Sequence, residues 1–100
     1  LRKLDEVPII PAGAILHHTV FGEGQVVALD ASFPKCPTKS VRLPYLRSLP
    51  DGMSFCPDGK SLLDVRFGEG RVYAYIAIFR RDIMYLSYPS AFTDGQFTID

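Results

Sequence analysis

Two stretches of the chain share one pattern: VFGEGQVVAL occupies residues 20–29 and RFGEGRVYAY occupies residues 66–75. Phe, Gly, Glu, Gly, Val and Ala recur there in one ungapped register. Farther along, VRLPYLRSLPDG at 41–52 aligns with MYLSYPSAFTDG at 84–95, sharing a Leu, a Tyr and the final Asp-Gly. Self-similarity at a nearly fixed spacing is the signature of a repeated structural unit. The sequence therefore predicts an internal duplication.

The duplication divides the chain into three parts. We expect an N-terminal arm at 1–12, a first repeat at 13–59 and a second repeat at 60–100. A chain of 100 residues suffices for one compact domain with a radius of gyration of about 13 Å, or for two very small domains. Units of this size bury too little surface to be stable on their own, so we expect the repeats to share a core. Large multidomain enzymes are excluded.

The local patterns are those of short strands. Apolar residues precede each FGEG, and Gly-Glu-Gly is expected to supply the positive-φ positions of a tight turn. The run VYAYIAIF at 72–79 alternates with period two, which predicts a strand that is apolar on both faces. Ser90–Phe92 is expected to form a single helical or 3₁₀ turn that ends at Asp94-Gly95. The expected faces of the strand are Val72, Ala74, Ile76 and Ile78 on one side, and Tyr73, Tyr75, Ala77 and Phe79 on the other.

Composition and charge restrict the possible partners. Hydrophobic residues make up 47% of the chain, and 11 Lys and Arg balance 11 Asp and Glu. With zero net charge there is no general positive field, so nucleic acid could be contacted only through a local basic patch. No apolar run approaches the roughly 20 residues of a membrane span, and we expect no membrane association. LRKLDEVPIIPAG at 1–13 lacks the long apolar core of a secretory signal, so we expect a cytoplasmic protein, and we expect its two cysteines to be reduced.

HHTVFGEGQVVALD at 17–30 resembles the H-x-x-FG-x-G-x-V motif that opens the Tudor-like, SH3-like barrel at the C-terminus of UvrD/PcrA-type helicases. YPSAFTDG at 88–95 resembles the signature that closes related small bacterial barrels. The resemblance implies an all-β, SH3-like fold in two tandem repeats, which are either packed together or fused into one barrel. A single barrel with 31–60 as an insertion is the alternative. In the helicases this domain docks RNA polymerase and contributes modestly to nucleic-acid contact, so the resemblance implies interaction and not catalysis.

The patterns of catalytic and cofactor sites are not met. FGEGQV lacks the third Gly of a dinucleotide-binding loop and is followed by a strand pattern instead of a helix. The two neighbouring histidines, His17 and His18, and the two widely spaced cysteines, Cys36 and Cys56, do not have the spacing of a zinc site. The same residues provide a Cys-His pair without an orienting carboxylate. We therefore predict no enzyme activity, no cofactor, no metal and no catalytic residue.

The candidate binding residues are aromatic and basic. Clustered rings on small barrels hold cations, peptides or bases, and cations at their rim contact phosphate or acidic surfaces. Phe21, Phe67 and Phe92 are instead expected in the core. The predicted aromatic surface comprises Tyr73, Tyr75, Phe79, Tyr85 and Tyr88. The predicted basic rim comprises Lys35, Lys39, Arg42, Arg47, Arg80 and Arg81.

These observations favour a non-enzymatic interaction module that docks a protein partner, in the setting of nucleic-acid or transcription machinery. A structural or accessory domain of a larger bacterial protein or assembly, with no ligand of its own, is the alternative.

Overall fold

The computed structural model describes residues 1–38 and 40–100, whose strands form one antiparallel sheet with a single short helix. The prediction of a small all-β fold is confirmed, and the radius of gyration is 13.3 Å. A 3₁₀ turn at Leu4–Glu6 follows the first strand. The elements are β1 (Arg2–Lys3), β2 (Ile15–His18), β3 (Gly22–Ser32), β4 (Val41–Pro44), β5 (Met53–Phe55), β6 (Ser61–Asp64), β7 (Gly68–Phe79), β8 (Asp82–Ser87), α1 (Ser90–Thr93) and β9 (Phe97–Ile99).

Two long strands organise the sheet, whose order is β1-β9-β2-β3-β7-β6-β5. Strand β3 pairs first with β2 and then, along the same edge, with β4. Strand β7 pairs in the same way with β6 and then with β8. The other edges of β3 and β7 pair with each other. Each long strand therefore joins a three-stranded meander to the centre of the sheet.

The pairing of β3 with β7 is symmetric. Leu29 lies opposite Tyr75, and these residues occupy matching positions in the two FGEG stretches. Each strand also has one bulged residue, Val27 in β3 and Tyr73 in β7, again at matching positions. Farther out, β5 pairs with β6 and β9 pairs with β2. The last strand of each expected repeat thus pairs with the first strand of the other repeat's meander.

The bulge at Tyr73 changes the expected faces of β7. Val72 lies in the core cluster with Tyr75, Ala77 and Phe79, whereas Ile76 lies outside that cluster. The prediction that Val72 shares a face with Ile76 is therefore wrong. An extra residue in one strand reverses the alternation beyond it, and the period-two pattern of the sequence does not reveal this.

The turns lie immediately before the Gly-Glu-Gly of each FGEG stretch and not, as was predicted, within it. The turns lie at 19–21 and 65–67, and of each Gly-Glu-Gly only the first glycine has a positive φ, 76° at Gly22 and 74° at Gly68. Gly24 and Gly70 are already paired within β3 and β7. The second glycine of each motif must therefore be needed for a reason other than the turn.

That reason is close packing of an aromatic ring. A Cβ atom built on Gly24 would lie 2.5 Å from the ring of Phe79, and one on Gly70 would meet the ring of Phe33 and, at 2.6 Å, the carbonyl oxygen of Ser32. Phe33 and Phe79 are 1% and 2% exposed. Phe79, the last residue of β7, therefore covers the glycine near the start of β3, and Phe33, which directly follows β3, covers the glycine near the start of β7.

Different residues close the two turns with the same contacts. His18 Nδ1 accepts hydrogen bonds from the backbone N–H groups of Val20 and Phe21 at 3.0 and 3.1 Å. At the matching position, Asp64 Oδ1 accepts from Arg66 and Phe67 at 2.7 and 3.2 Å. Both turns thus have a buried acceptor immediately before them.

Gly24→Ala tests the ring-on-glycine contact. Overpacking of this kind costs about 1–3 kcal/mol, which urea denaturation would show as a lower midpoint with an unchanged slope. Glu23→Ala, the matched control at an exposed neighbour, should change stability by less than about 0.5 kcal/mol. Phe79→Leu in the Gly24→Ala background should recover part of the loss. Equal effects of the two alanine variants would contradict the proposed contact.

Two aspartates make stability sensitive to acid. Backbone N–H donors, first that of Ser61 for Asp58 and that of Arg66 for Asp64, hold the pKa of each carboxyl below its ordinary value of 3.8. A lowered folded-state pKa contributes stability above the unfolded value and loses it as the pH falls through the folded one. The free energy of unfolding should therefore fall as the pH drops below about 4.

Urea titrations from neutral pH to the acid limb measure that loss. Asp58→Asn and Asp64→Asn each keep an acceptor oxygen but no longer titrate, so each should flatten the acid limb. An acid limb that both variants share unchanged with the parent would contradict the assignment.

Candidate functional site

The structure does not form the predicted aromatic surface as one cluster. Tyr75 and Phe79 are 3% and 2% exposed and belong to the core, so their assignment to a binding surface is wrong. Both point to the face of β7 that packs inward, where Tyr75 lies against Phe92 at 5.6 Å between ring centroids. Burial, followed by the nearby Tyr45, raises the pKa of the Tyr75 phenol.

The expected core phenylalanines divide as well. Phe92 is buried at 5% exposure, Phe67 is half-buried and Phe21 is 44% exposed. Phe21 covers the ring of His18 at 4.8 Å between centroids, at the edge of the core. The core prediction is therefore wrong for Phe21, because the turn carries this residue to the surface.

The other three predicted tyrosines lie at the surface. Tyr85 is 51% exposed, and Tyr73 and Tyr88 are half-buried. The backbone N–H of Tyr88 donates to the carbonyl of Tyr73 at 2.8 Å, so the two residues lie side by side. The Lys60 ammonium lies 5.5 Å from the centre of the Tyr88 ring.

The predicted basic rim is dispersed. Lys39 lies outside the described residues, and Lys35 and Arg47 are exposed in different loops. Arg42 is held by Asp30, to which its Nε and Nη2 donate at 2.8 and 3.0 Å. These hydrogen bonds and the carboxylate charge raise the pKa of the guanidinium. Arg42 therefore neutralises a buried acid and does not stand free at a rim.

Arg80 and Arg81 lie beside two exposed isoleucines and not at the rim of one aromatic surface, which was the prediction. They form the turn between β7 and β8, where Arg80 has a φ of 53°. Ile78 and Ile83 face each other across this hairpin and are 43% and 73% exposed. Tyr85 follows Ile83 on the same face, because residues two apart on a strand point the same way. We call Ile78, Ile83, Tyr85, Arg80 and Arg81 together the hairpin face.

A second surface combines two of the predicted tyrosines with cations that the sequence analysis missed. It is an open cleft of about 570 Å³, and no acidic residue lines it. In the sheet, Arg71 lies between Ser32 of β3 and Ser61 of β6, and Lys60 immediately precedes β6. We call this surface the Lys60–Arg71 cleft, and its polar and aromatic lining comprises Ser32, Lys60, Arg71, Tyr73 and Tyr88.

The residues considered for metal or nucleophilic chemistry lie in separate places. His17 contacts Asp100 at 3.5 Å, and His18 closes its turn. Cys36 lies 3.2 Å from the Thr38 hydroxyl, and Cys56 is half-buried, its thiol pKa raised first by burial and then by Asp58. Within residues 1–38 and 40–100, no three His, Cys, Asp or Glu side chains are grouped as metal ligands would be.

Alanine substitutions distinguish Tyr75, which lies in the core, from Tyr85, which lies at the surface. Tyr75→Ala should lower the free energy of unfolding by about 3–5 kcal/mol, because it empties a large site in the core. Tyr85→Ala should lower it by less than about 1 kcal/mol, because about half of that side chain already faces solvent. Urea denaturation of both variants measures the difference. Similar losses in the two variants would contradict the placement of Tyr85 at the surface.

Comparison with known proteins assigns no relative to this geometry. No protein-family model, curated protein or solved structure matches the chain. Where the structure describes the chain, no helix is long and apolar enough to cross a bilayer. The function must therefore be inferred from the surfaces themselves.

Proposed function

We propose that the chain is a non-enzymatic interaction module that docks a protein partner through the hairpin face. The observation that carries this proposal is the exposed pair of Ile78 and Ile83, which face each other at the end of an antiparallel hairpin. Adjacent exposed apolar side chains beside polar ones are typical of protein contact sites. Tyr85 adds a ring that can bury its apolar body and keep its hydroxyl in water.

The charges of the hairpin face define the partner. Neither Arg80 nor Arg81 forms an ion pair with any carboxylate of the described residues. At the other end of the face, the charge of Arg42 is balanced by Asp30. Asp82 follows Arg81 directly, so the two arginines leave the hairpin segment with an excess of one positive charge in a chain that has no net charge. The partner is therefore a protein segment with apolar side chains beside Asp or Glu.

The setting follows from the sequence resemblance. The FGEG and YPSAF motifs resemble those of Tudor-like docking domains, and we place this chain with them as a duplicated SH3-like unit in nucleic-acid or transcription machinery. The matching bulges and the reciprocal glycine–phenylalanine contacts support the duplication. A cytoplasmic location is part of the proposal, and it is supported by the two free cysteines.

Selection of random linear peptides on the immobilised chain tests the docking proposal. Binders should combine Asp or Glu with Ile, Leu or Phe. Arg80→Glu/Arg81→Glu should weaken a selected peptide by at least about tenfold, and Ile83→Ser should weaken it by about five- to tenfold. Raising the salt concentration should weaken binding to the parent and have less effect once the arginines are gone.

Two matched controls locate the effect. Arg2→Glu/Lys3→Glu makes the same charge change on β1, at the far end of the sheet, and Val65→Ser removes an apolar residue that is 84% exposed. Both should bind the peptides as the parent does. Failure to select any peptide, or equal losses in the controls, would overturn the proposal and favour a structural or accessory domain without a ligand.

A further inference from the structure

We propose that the Lys60–Arg71 cleft binds single-stranded nucleic acid, with a phosphate at the two cations and a base against the ring of Tyr73 or Tyr88. This site is separate from the hairpin face and does not depend on the protein-docking function. Three observations carry it: the chemistry of the lining, the difference between matching positions of the chain, and the open shape of the cleft.

The lining suits a phosphate. Lys60 and Arg71 supply an ammonium and a guanidinium, and the hydroxyl of Ser32 adds a third donor beside Arg71. A carboxylate among these groups would repel an anion, and the lining contains none. Phosphate oxygens accept strong hydrogen bonds from such donors, and Arg can bind two oxygens at once.

Two acids lie near the cleft without lining it. The charge of Arg71 favours the ionised form of Asp58, whose oxygens accept bonds from the backbone N–H groups of Lys60 and Ser61 and from the Ser61 hydroxyl, so Asp58 is an anion held outside the lining. Glu69 precedes Arg71 by two residues on β7 and therefore points to the same face, about 7 Å away along the strand. Glu69 should weaken binding to the cleft without blocking it.

The matching positions of the first FGEG stretch show that the fold does not need these cations. Ala14 stands where Lys60 stands, and both place their carbonyl on a backbone N–H of the adjacent long strand at 2.9 Å. Gln25 stands where Arg71 stands, and it pairs with β2 as Arg71 pairs with β6. The same backbone thus forms with neutral side chains, so Lys60 and Arg71 are not required for folding.

Two tyrosines at matching positions of the repeats, Tyr45 and Tyr88, also differ in what surrounds them. The hydroxyl of Tyr45 is buried and donates to the carbonyl of Ile10 at 2.6 Å, and burial raises its pKa to about 12. Tyr88, at the matching position, instead lines the cleft beside Tyr73. Only the second position therefore offers a ring to a ligand.

The open shape favours a strand over a phosphopeptide. Two tyrosine rings line one open cleft: Tyr73 lies in β7 and Tyr88 directly follows β8, and their backbones are hydrogen-bonded to each other. Bases of a single strand stack on such rings in succession while the phosphates follow the cations, and this binding tolerates different sequences. A duplex keeps its bases stacked inside and cannot use the rings.

Fluorescence anisotropy with labelled oligothymidylate of about 12 nucleotides tests the proposal on the full chain. The double variant Lys60→Ala/Arg71→Gln installs the residues of the matching positions, so it should fold with an unchanged thermal midpoint. Its affinity should fall by at least about tenfold, and the slope of log affinity against log salt should shrink by about 1 for each lost cation.

Further variants test the aromatic ring and the nearby acid separately, with a control on the hairpin face. Tyr88→Leu keeps an apolar contact for Phe92 but removes the ring, and it should weaken binding by about tenfold. Glu69→Gln should strengthen binding. The matched control, Arg80→Ala/Arg81→Ala, removes two cations from the hairpin face and should change the affinity by less than about twofold.

Competing ligands separate the possible sources of the phosphate. The labelled strand should be displaced by unlabelled oligothymidylate, and much less by thymidine monophosphate, inorganic phosphate or duplex DNA of the same length. The proposal is overturned if the parent does not bind the strand, or if Arg80→Ala/Arg81→Ala weakens binding as much as Lys60→Ala/Arg71→Gln does. It is also overturned if a tyrosine-phosphorylated peptide or the mononucleotide competes as strongly as the strand. None of these results affects the peptide selection on the hairpin face.

Discussion

The pairing of β3 with β7 around Leu29 and Tyr75 is the constraint on which the rest of the structure depends. At either end of the pair, a phenylalanine ring lies on a glycine that has no room for a Cβ atom. A slip of one residue would turn every core side chain of a strand to the opposite face and separate both rings from their glycines. The two contacts and the central pair therefore define one register. The meanders on either side inherit their positions from it.

The recurrence of FGEG in the sequence was enough to predict short strands, an all-β fold and a shared core. It was not enough to explain both glycines. The positive φ of Gly22 is local and follows from turn chemistry, whereas Gly24 is required by Phe79, which is distant in sequence. His18 and Asp64 show the same limit, because the alignment treats them as different residues. The structure uses one acceptor atom from each, at the same place before a turn.

The candidate site was predicted in part, and its errors have a physical cause. Period two separates the faces of a strand but does not show which face meets the core, so Tyr75 and Phe79 were grouped with surface tyrosines. Basic residues were grouped by their nearness in sequence, which found the arginine turn. Lys60 and Arg71 were missed because they meet Ser32 only when β3, β7 and β6 pair. A comparison of matching positions for charge would have singled out both cations.

The outer face of the sheet shows why such differences point to function. Asp30 and Arg42 face each other across β3 and β4, and Ile76 and Tyr85 face each other at the matching place across β7 and β8. Asp30 and Ile76 are both 5% exposed. The backbone therefore accepts a hydrogen-bonded ion pair or an apolar pair at one position. Since the inner face determines the register, the outer face is free to differ. Arg42 on this face neutralises the buried Asp30, whereas the unpaired cations and the exposed apolar residues are the groups on which both binding proposals rest.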